Sequence, residues 1–198
     1  MTKSVDEIPV EPREKYSCSL MGDTLTGKTS LVESYGRTVE HANLLHMPDY
    51  TCLYVSNGSV QVELDVHDAP AQNDGRLLHM FSSQFADVIL MVFSVAAQDS
   101  FIKIEEVFMP FARKNYPRIP VIVVANEIDL RYTGQTREWV ATPEMGSDLA
   151  EKIGADGYLE CSSLHGHGVR ILFERAVAEA KKRKQEEAKK KARKCVLM

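Results

Sequence analysis

Apolar residues form two unbroken runs in the middle of the chain. Residues 88–95 read VILMVFSV and residues 120–125 read PVIVVA. Continuous apolar runs of this length are typical of strands covered by helices on both faces of a parallel sheet. Shorter runs at 16–21 (YSCSLM) and 158–162 (YLECS) predict two further strands.

A different pattern, alternation of apolar with polar residues, precedes these runs. The segments CLYV and VQVELDV flank the turn sequence SNGS at 56–59. Asn-Gly between alternating apolar residues is the strongest short-range signal for a β-hairpin. We therefore predict one antiparallel pair of strands here.

Helical periodicity fills much of the remaining sequence. We predict a helix from Lys28 that stops at Gly36, a helix around 101–111 that Pro110 kinks or shortens, and a helix at 143–153. A last helix has its apolar face at Val169, Leu172, Phe173, Ala176, Val177 and Ala180. Residues 37–50 are predicted to be a loop. This alternation predicts an α/β fold: a three-layer sandwich with a mostly parallel six-stranded sheet and one antiparallel edge hairpin.

Charge is divided unevenly along the 198 residues. The net charge is −4, yet residues 181–194 (KKRKQEEAKKKARK) contain nine Lys or Arg and two Glu. This run therefore carries +7 and the rest of the chain −11. An acidic body disfavours sequence-independent nucleic-acid binding, so we expect no nucleic-acid partner. The basic run fits an anionic surface or, alternatively, a solvated helix end.

Length and composition fit one folded domain with short terminal segments. We expect a flexible arm at 1–14, a domain at 15–180 and a polybasic tail at 181–198. The first residues lack an apolar core, and no run approaches about 18 apolar residues, so we expect neither a secretory signal nor a membrane span. The widely spaced cysteines, which are Cys18, Cys52, Cys161 and Cys195, indicate a reducing cytoplasmic compartment without disulfides or a zinc site.

The sequence GDTLTGKT at 22–29 lies between the first predicted strand and the first predicted helix. This arrangement is the signature of a phosphate-binding loop, in which backbone N–H groups and a helix N-terminus surround a polyphosphate. The predicted phosphate-binding residues are Gly22, Asp23, Thr24, Leu25, Thr26, Gly27, Lys28, Thr29 and Ser30. We expect Lys28 to neutralise the outer phosphates and Thr29 to hold Mg²⁺.

A Mg²⁺ site needs a carboxylate in addition to the threonine hydroxyl. The segment VELDVHD at 62–68 offers Asp65 and Asp68. Asp68 is the better candidate because it is the last polar residue before the Ala-Pro break, whereas Asp65 lies within the apolar alternation. A hydroxyl, a carboxylate, phosphates and water suit Mg²⁺. The predicted metal ligands are therefore Thr29 and Asp68.

Several segments together resemble the Ras superfamily, and specifically its Rho family of small GTPases, over about residues 16–180 and at the C-terminus. The resemblance is carried by GDTLTGKTS, HDAPAQ at 67–72, FSVAAQDSF at 93–101, NEIDLR at 126–131, TPE at 142–144 and ECSS at 160–163. It implies a P-loop GTPase fold that binds GTP or GDP with Mg²⁺. It also implies effector and regulator proteins as partners.

The same resemblance implies a guanine-binding site. Asn126, Glu127 and Asp129 occupy the family's N-K-x-D positions, where Asp129 would accept hydrogen bonds from N1 and the exocyclic amine of guanine. Ser162 and Ser163 correspond to the family's S-A pair, whose backbone supports the guanine carbonyl.

The chain departs from the family pattern at positions that bear on GTP hydrolysis. Thr24 replaces a glycine, and its β-branched side chain occupies space needed for water and an arginine finger. Ala71 replaces the glycine whose N–H meets the γ-phosphate, which restricts the backbone. Gln72 keeps the position of the water-orienting glutamine. Met47 falls where the family has a Mg²⁺-binding threonine, and Glu127 stands where many members have a lysine that covers the base.

These departures leave alternatives open. In one hypothesis, the protein is an atypical Rho-like GTPase that hydrolyses GTP slowly or not at all. In another, it is a pseudo-GTPase scaffold that binds partners independently of nucleotide. A P-loop kinase or ATPase is a remote alternative, which explains neither NEID nor the C-terminal sequence CVLM.

The last four residues, Cys195-Val196-Leu197-Met198, fit a C-a-a-X motif of the farnesyl type. One prenyl chain plus a polybasic segment is the two-signal combination that stable anchoring needs. We expect prenylation and methylation at Cys195, on the cytoplasmic side of the plasma membrane or an endomembrane. The alternative is a disordered cationic end with an unmodified thiol. The resemblance leaves open signalling in the cytoskeleton, polarity or vesicle traffic.

Overall fold

One mixed sheet forms the centre of the protein. A computed structural model describes residues 14–39, 44–57, 60–68, 86–133 and 138–196. Within these ranges the strands are β1 (Lys15–Met21), β2 (Leu45–His46), β3 (Thr51–Asn57), β4 (Val60–Asp68), β5 (Val88–Ser94), β6 (Val121–Asn126) and β7 (Gly157–Glu160). Their order across the sheet is β2-β3-β4-β1-β5-β6-β7. Strands β4, β1, β5, β6 and β7 are parallel, while β3 is antiparallel to both β4 and β2.

Helices cover both faces of this sheet. In the described part of the chain they are α1 (Lys28–Thr38), α2 (Gln98–Lys103), α3 (Met109–Asn115), α4 (Pro143–Lys152) and α5 (Val169–Val196). Along β5, Val88, Leu90 and Val92 pack with α1 and α5, whereas the intervening Ile89 and Met91 pack with the other helices. The unbroken apolar run of β5 therefore supplies two separate cores. The predicted three-layer α/β sandwich is confirmed.

The predicted sheet differs from the observed one in a single strand. The residues that the structure describes form seven strands rather than six, because β2 lies in the segment predicted as a loop. This strand has two residues, and it pairs Leu45 with Cys52 and His46 with Thr51. Two residues cannot show a periodicity of two, so the sequence pattern did not indicate this strand. The antiparallel pair β3–β4 is present as predicted.

Gly36 does not stop the first helix, as the sequence had suggested. Helix α1 continues to Thr38, and the N–H of Val39 bonds the carbonyl of Tyr35. A Cβ at Gly36 would lie 2.4 Å from Leu44 Cδ1. The glycine therefore permits a close contact with Leu44 and does not provide a helix end.

The helix that contains Pro110 is divided by a π-helical turn. This turn, Ile104–Phe108, separates α2 from α3, and the N–H of Met109 bonds back to Ile104. Pro110 then lies in the first turn of α3, where its missing N–H is tolerated. A wider π turn just before the proline thus allows the chain to continue as a helix.

Helix α5 is the longest helix in the described residues, with 28 residues. It begins beside the end of β7, where Gly168 approaches the carbonyl of Glu160, and it passes the start of β1, where Lys184 bonds the carbonyl of Lys15. It therefore runs opposite to the parallel strands. Its buried face ends at Ala180, but the helix continues to Val196. Among the described helices, none is long and apolar enough to cross a membrane.

Candidate functional site

The predicted site residues gather at the carboxyl ends of the parallel strands. The phosphate loop follows β1, Asp68 ends β4, Asn126 ends β6, and Ser162 follows β7. Open α/β sheets bind their ligands at this edge. The fold therefore brings together residues that lie up to 141 positions apart in the sequence, from Gly22 to Ser163.

Two glycines of the phosphate loop make close contacts that no side chain would permit. A Cβ at Gly22, where φ is 152°, would lie 2.1 Å from the carbonyl oxygen of Val92. A Cβ at Gly27, where φ is 74°, would lie 2.4 Å from Asn126 Nδ2. Between them, Leu25 adopts a left-handed conformation with φ 58°, and its side chain is 94% exposed. The loop thus has a tightly packed base and an exposed tip.

The Lys28 side chain is held inside this loop. Its Nζ donates to the carbonyl oxygens of Gly22 at 3.1 Å and Asp23 at 2.6 Å, and the residue is buried. Burial lowers the pKa of Lys28, while the nearby carboxylates of Asp68 and Asp23 partly oppose that change. The ammonium group is therefore positioned by backbone carbonyls at the loop.

Asp23 connects the phosphate loop to helix α2. Its carboxylate accepts a hydrogen bond from the N–H of Thr24 at 2.9 Å and forms an ion pair with Lys103 at 2.5 Å. Burial raises the pKa of Asp23, but these two hydrogen bonds outweigh it and leave the pKa below its usual value. The sequence did not indicate Lys103, because it lies 80 positions from Asp23 and belongs to no motif.

Thr29 and Asp68 meet directly. The Thr29 hydroxyl donates a hydrogen bond to Asp68 Oδ2. Asp65, the other candidate carboxylate, instead forms an ion pair with Lys15 at 2.8 Å. A hydroxyl and a carboxylate oxygen that face each other are the oxygen donors that Mg²⁺ prefers, so the residues present fit that ion. The described residues contain no cluster of three or more acidic, histidine or cysteine side chains suited to a metal.

Asn126 links the phosphate loop to the segment after β7. The side chain is fully buried, and its Nδ2 donates to the carbonyl of Thr26 at 3.0 Å and to Ser163 Oγ at 3.3 Å. Its Oδ1 accepts from the N–H of Ser163 at 3.2 Å. Since a buried amide left unpaired would cost about 1–3 kcal/mol, this residue fixes the relative position of the two segments.

Asp129 and Glu127 have different hydrogen-bond partners. Ser162 Oγ donates to Asp129 Oδ1 at 2.5 Å, next to the segment that Asn126 holds. Glu127 has a left-handed backbone with φ 63°, and its carboxylate accepts from Ser94 Oγ at 2.5 Å. The Ser94 contact was not indicated by the sequence, because Ser94 lies within the apolar run at 88–95.

Some predicted residues lie outside the described part of the chain. These are Ala71 and Gln72, the turn residues Gly58 and Ser59, residues 1–13 of the predicted arm, and Leu197 and Met198 of the C-a-a-X motif. Ser30 is described and lies half-buried in the first turn of α1, while Thr24 is exposed. For Cys195 the structure describes the helical backbone only.

A phosphate loop between the first strand and the first helix, at the carboxyl edge of a mostly parallel sheet, defines the class of P-loop nucleotide-binding proteins. The model of the Ras family matches residues 17–182. The Rho-related GTP-binding proteins RhoH of Bos taurus and of Mus musculus are each 36% identical over 164 residues, which cover 82% of this chain and 86% of theirs. The chain therefore belongs to the Rho group of the Ras family of small GTPases.

Proposed function

We propose that the protein is an atypical Rho-like GTPase that binds GTP or GDP with Mg²⁺ and hydrolyses GTP slowly. It acts in signalling at the cytoplasmic surface of a membrane. The observation that carries this proposal is the buried Asn126, whose amide holds the phosphate loop and the Ser163 segment together. One nucleotide can then contact both parts of the site at once.

Phosphate binding would use the loop backbone and two side chains of α1. The backbone N–H groups from Asp23 to Ser30 would contact the phosphates, and Lys28 would neutralise their outer charge. Thr29 and Asp68 would hold Mg²⁺, which offsets phosphate charge when bound. The existing contact between Thr29 and Asp68 supports this assignment.

Base selection would depend on the two segments that follow β6 and β7. Asp129 would accept hydrogen bonds from N1 and the exocyclic amine of guanine, while the backbone of Ser162 and Ser163 would support the guanine carbonyl. The hydrogen bond from Ser162 to Asp129 orients that carboxylate before the base binds. Adenine has no N1 proton to donate to Asp129, so guanine would be favoured.

Slow hydrolysis follows from the phosphate loop and the segment after β4. Gln72 would orient the attacking water, and the N–H of Ala71 would meet the γ-phosphate. The exposed, β-branched Thr24 would occupy the space that this water and an arginine finger need. The protein would therefore stay loaded with GTP and be regulated by its amount or its location.

The decisive experiment identifies the nucleotide on the purified protein and then follows a single turnover. We expect bound guanine nucleotide, retained in Mg²⁺, and GTP cleavage at least about tenfold slower than that of an ordinary small GTPase measured in parallel, a barrier difference of about 1.4 kcal/mol. Bound adenine nucleotide would refute guanine selection. Hydrolysis at the ordinary rate would refute the role of Thr24.

A nucleotide-independent scaffold is a second candidate function, and one observation favours it. Met47, at the position of the family's Mg²⁺-binding threonine, is 48% exposed, and the nearby Thr51 hydroxyl lies 3.2 Å from the ring of His46. At that position the described residues of this loop therefore have no hydroxyl that could bind Mg²⁺. Mg²⁺ and nucleotide would not order the loop through such a contact. A protein that purifies without nucleotide, and whose thermal unfolding is unchanged by GTP and Mg²⁺, would establish this alternative.

Membrane attachment would use Cys195 and the basic residues before it. A prenyl group on Cys195, followed by removal of the last three residues and methylation, would supply one signal, and the lysines and arginines would supply the other. Effectors and regulators would then meet the protein at the cytoplasmic face of the plasma membrane or an endomembrane. Cytoskeletal, polarity and vesicle-traffic pathways are all compatible with this arrangement.

A further inference from the structure

Seven of the basic residues of α5 fall into two groups with different surroundings. The first group, Lys181, Arg183 and Lys184, forms ion pairs with the folded domain. The second group is exposed, and it consists of Lys189, Lys190, Lys191 and Arg193. No hydrogen bond or ion pair joins the side chains of this second group to any other described residue. The +7 of the tail is therefore not uniformly available to an external partner.

Two acidic residues at the starts of neighbouring strands bind the first group. Lys181 Nζ lies 2.9 Å from Glu14 Oε2, just before β1. Asp87, just before β5, forms ion pairs with Arg183 at 3.4 Å and with Lys184 at 2.9 Å. The lysine pairing lowers the pKa of Glu14. Glu14 and Asp87 thus offset much of the charge of this group.

Backbone and ring contacts strengthen the same attachment. Arg183 donates to the carbonyl of Ala86 at 3.1 Å, and Lys184 donates to the carbonyl of Lys15 at 2.9 Å. The Lys184 ammonium also lies 4.6 Å from the centre of the Tyr16 ring. These contacts fix α5 against the amino-terminal edge of the sheet, so we name Lys181, Arg183 and Lys184 the clamp group.

Beyond the clamp group, α5 extends into solvent. Residues 188–193 are all exposed. The rise of about 1.5 Å per residue puts Arg193 about 14 Å further along the helix axis than Lys184. Lys189 and Arg193 are four positions apart, where like charges on a helix repel. An anionic surface would relieve that repulsion, so this part of the helix has the charge complementary to a bilayer of acidic lipids.

We propose that the exposed group, Lys189 to Arg193, is the part of the tail that binds an anionic lipid bilayer, while the clamp group fixes the helix to the domain. This inference rests on the proposed membrane location. It assigns the membrane contact to a short positive segment at the end of a rigid helical spacer. The alternative is that nine equivalent basic residues on a flexible tail make this contact.

The test compares two matched triple variants of the full-length protein, purified without a prenyl group. Their binding is measured on vesicles with and without phosphatidylserine. We expect Lys189→Gln/Lys190→Gln/Lys191→Gln to weaken binding to phosphatidylserine vesicles by about 100-fold, at about 1 kcal/mol for each base. We expect Lys181→Gln/Arg183→Gln/Lys184→Gln to weaken it by less than about fivefold, because acidic residues already pair with these bases. Equal losses, or a larger loss in the clamp variant, would overturn the division.

A second variant tests the clamp group without removing any basic residue. Asp87→Asn removes the carboxylate that pairs with Arg183 and Lys184, which frees their charge for an anionic surface, so affinity for phosphatidylserine vesicles should rise by several fold. Unchanged or lower affinity would overturn the clamp. The wild-type protein keeps the two proposals apart: if it shows no preference for phosphatidylserine vesicles, the basic tail has no membrane role, whereas a preference with equal losses in the two triple variants refutes only the division.

Discussion

Thr24 has an exposed side chain at the tip of the phosphate loop. Thr24→Gly should raise the single-turnover rate of GTP hydrolysis by about tenfold, because about 1.4 kcal/mol of obstruction near the attacking water would be removed. Rapid-quench measurement of phosphate release would test this. The control is Thr26→Ser in the same loop, which keeps the hydroxyl that bonds the carbonyl of Asp23 and should leave the rate unchanged. An unaltered rate in the Thr24 variant would show that another residue limits hydrolysis.

Glu127 brings a negative charge to the position where many relatives have a lysine. Its carboxylate is turned towards Ser94. Glu127→Lys should tighten GDP binding by about tenfold, since an apolar stem over the base and an opposite charge would contribute about 1.4 kcal/mol. Dissociation of a fluorescent GDP analogue is the measurement. Glu127→Gln separates the two causes: it removes the charge but adds no lysine stem, so a full effect in this variant would assign the gain to charge alone.

Individual residues of the site differ in how far the sequence could predict them. The sequence favoured Asp68 over Asp65 because Asp68 is the last polar residue before the Ala-Pro break. The two carboxylates have separate partners, and the metal role of Asp68 stays a prediction. Lys103 and Ser94 were not predictable. Their contacts with the site depend on how α2 and β5 pack beside the phosphate loop, and no local pattern records that packing.

At the scale of elements, a brace of three side chains joins the turn after β6 to β7. Arg131 makes two hydrogen bonds to Glu160, at 2.9 and 2.8 Å, and a third to the carbonyl of Ala141 at 2.8 Å. Tyr158 adds a hydrogen bond to the same Glu160 carboxylate at 2.6 Å. This brace holds the segment after Asp129 against the strand that precedes Ser162.

The brace predicts a pH dependence of stability. Burial raises the pKa of Glu160, but hydrogen bonds from Arg131 and Tyr158 outweigh it and hold the pKa below 4.5. Because the folded-state pKa is lowered, the stabilisation is complete above pH 4.5 and is lost as the pH falls through the folded-state value. Glu160→Gln should reduce the free energy of unfolding by about 1–2 kcal/mol at neutral pH.

Urea unfolding at several pH values measures this difference. The gap between wild type and the Glu160 variant should narrow as the pH falls below 4.5. Glu151→Gln, an exposed position on α4, should show a small gap at every pH. If the difference in the free energy of unfolding between wild type and Glu160→Gln does not depend on pH, the charge of the carboxylate does not contribute to the stability of the brace.

Long elements with a clear period were predictable, and short or irregular ones were not. The hairpin β3–β4 and the buried strands β5 and β6 have alternating or continuous apolar patterns that tertiary packing did not override. The prediction that the first helix stops at Gly36 was wrong because glycine occurs both at helix ends and at close contacts. Only the contact with Leu44 distinguishes the two cases. The π turn before Pro110 has no sequence period of its own.

At the scale of the whole molecule, attachment through Cys195 can be tested directly. Cys195→Ser removes the thiol that would carry the prenyl group, so the protein should move from the membrane fraction to the cytosol. A single prenyl-type anchor and a basic segment are both needed for stable binding, which is why loss of one suffices. Fractionation of cells that express the variant measures this. Cys161→Ser is the control, because Cys161 is buried in the core. Unchanged membrane binding of the Cys195 variant would refute the lipid anchor.

The direction of α5 also determines how tall a partner must be. The helix begins next to the carboxyl edge of the sheet, passes the opposite edge at Lys184 and extends into solvent beyond it. Its 28 residues span about 42 Å at about 1.5 Å each. If the helix stands upright with its far end on a bilayer, a membrane-bound enzyme that acts on the nucleotide has to reach that far above the lipid headgroups. Soluble regulators approaching from the cytosol meet no such requirement, so they would have the readier access to the bound nucleotide.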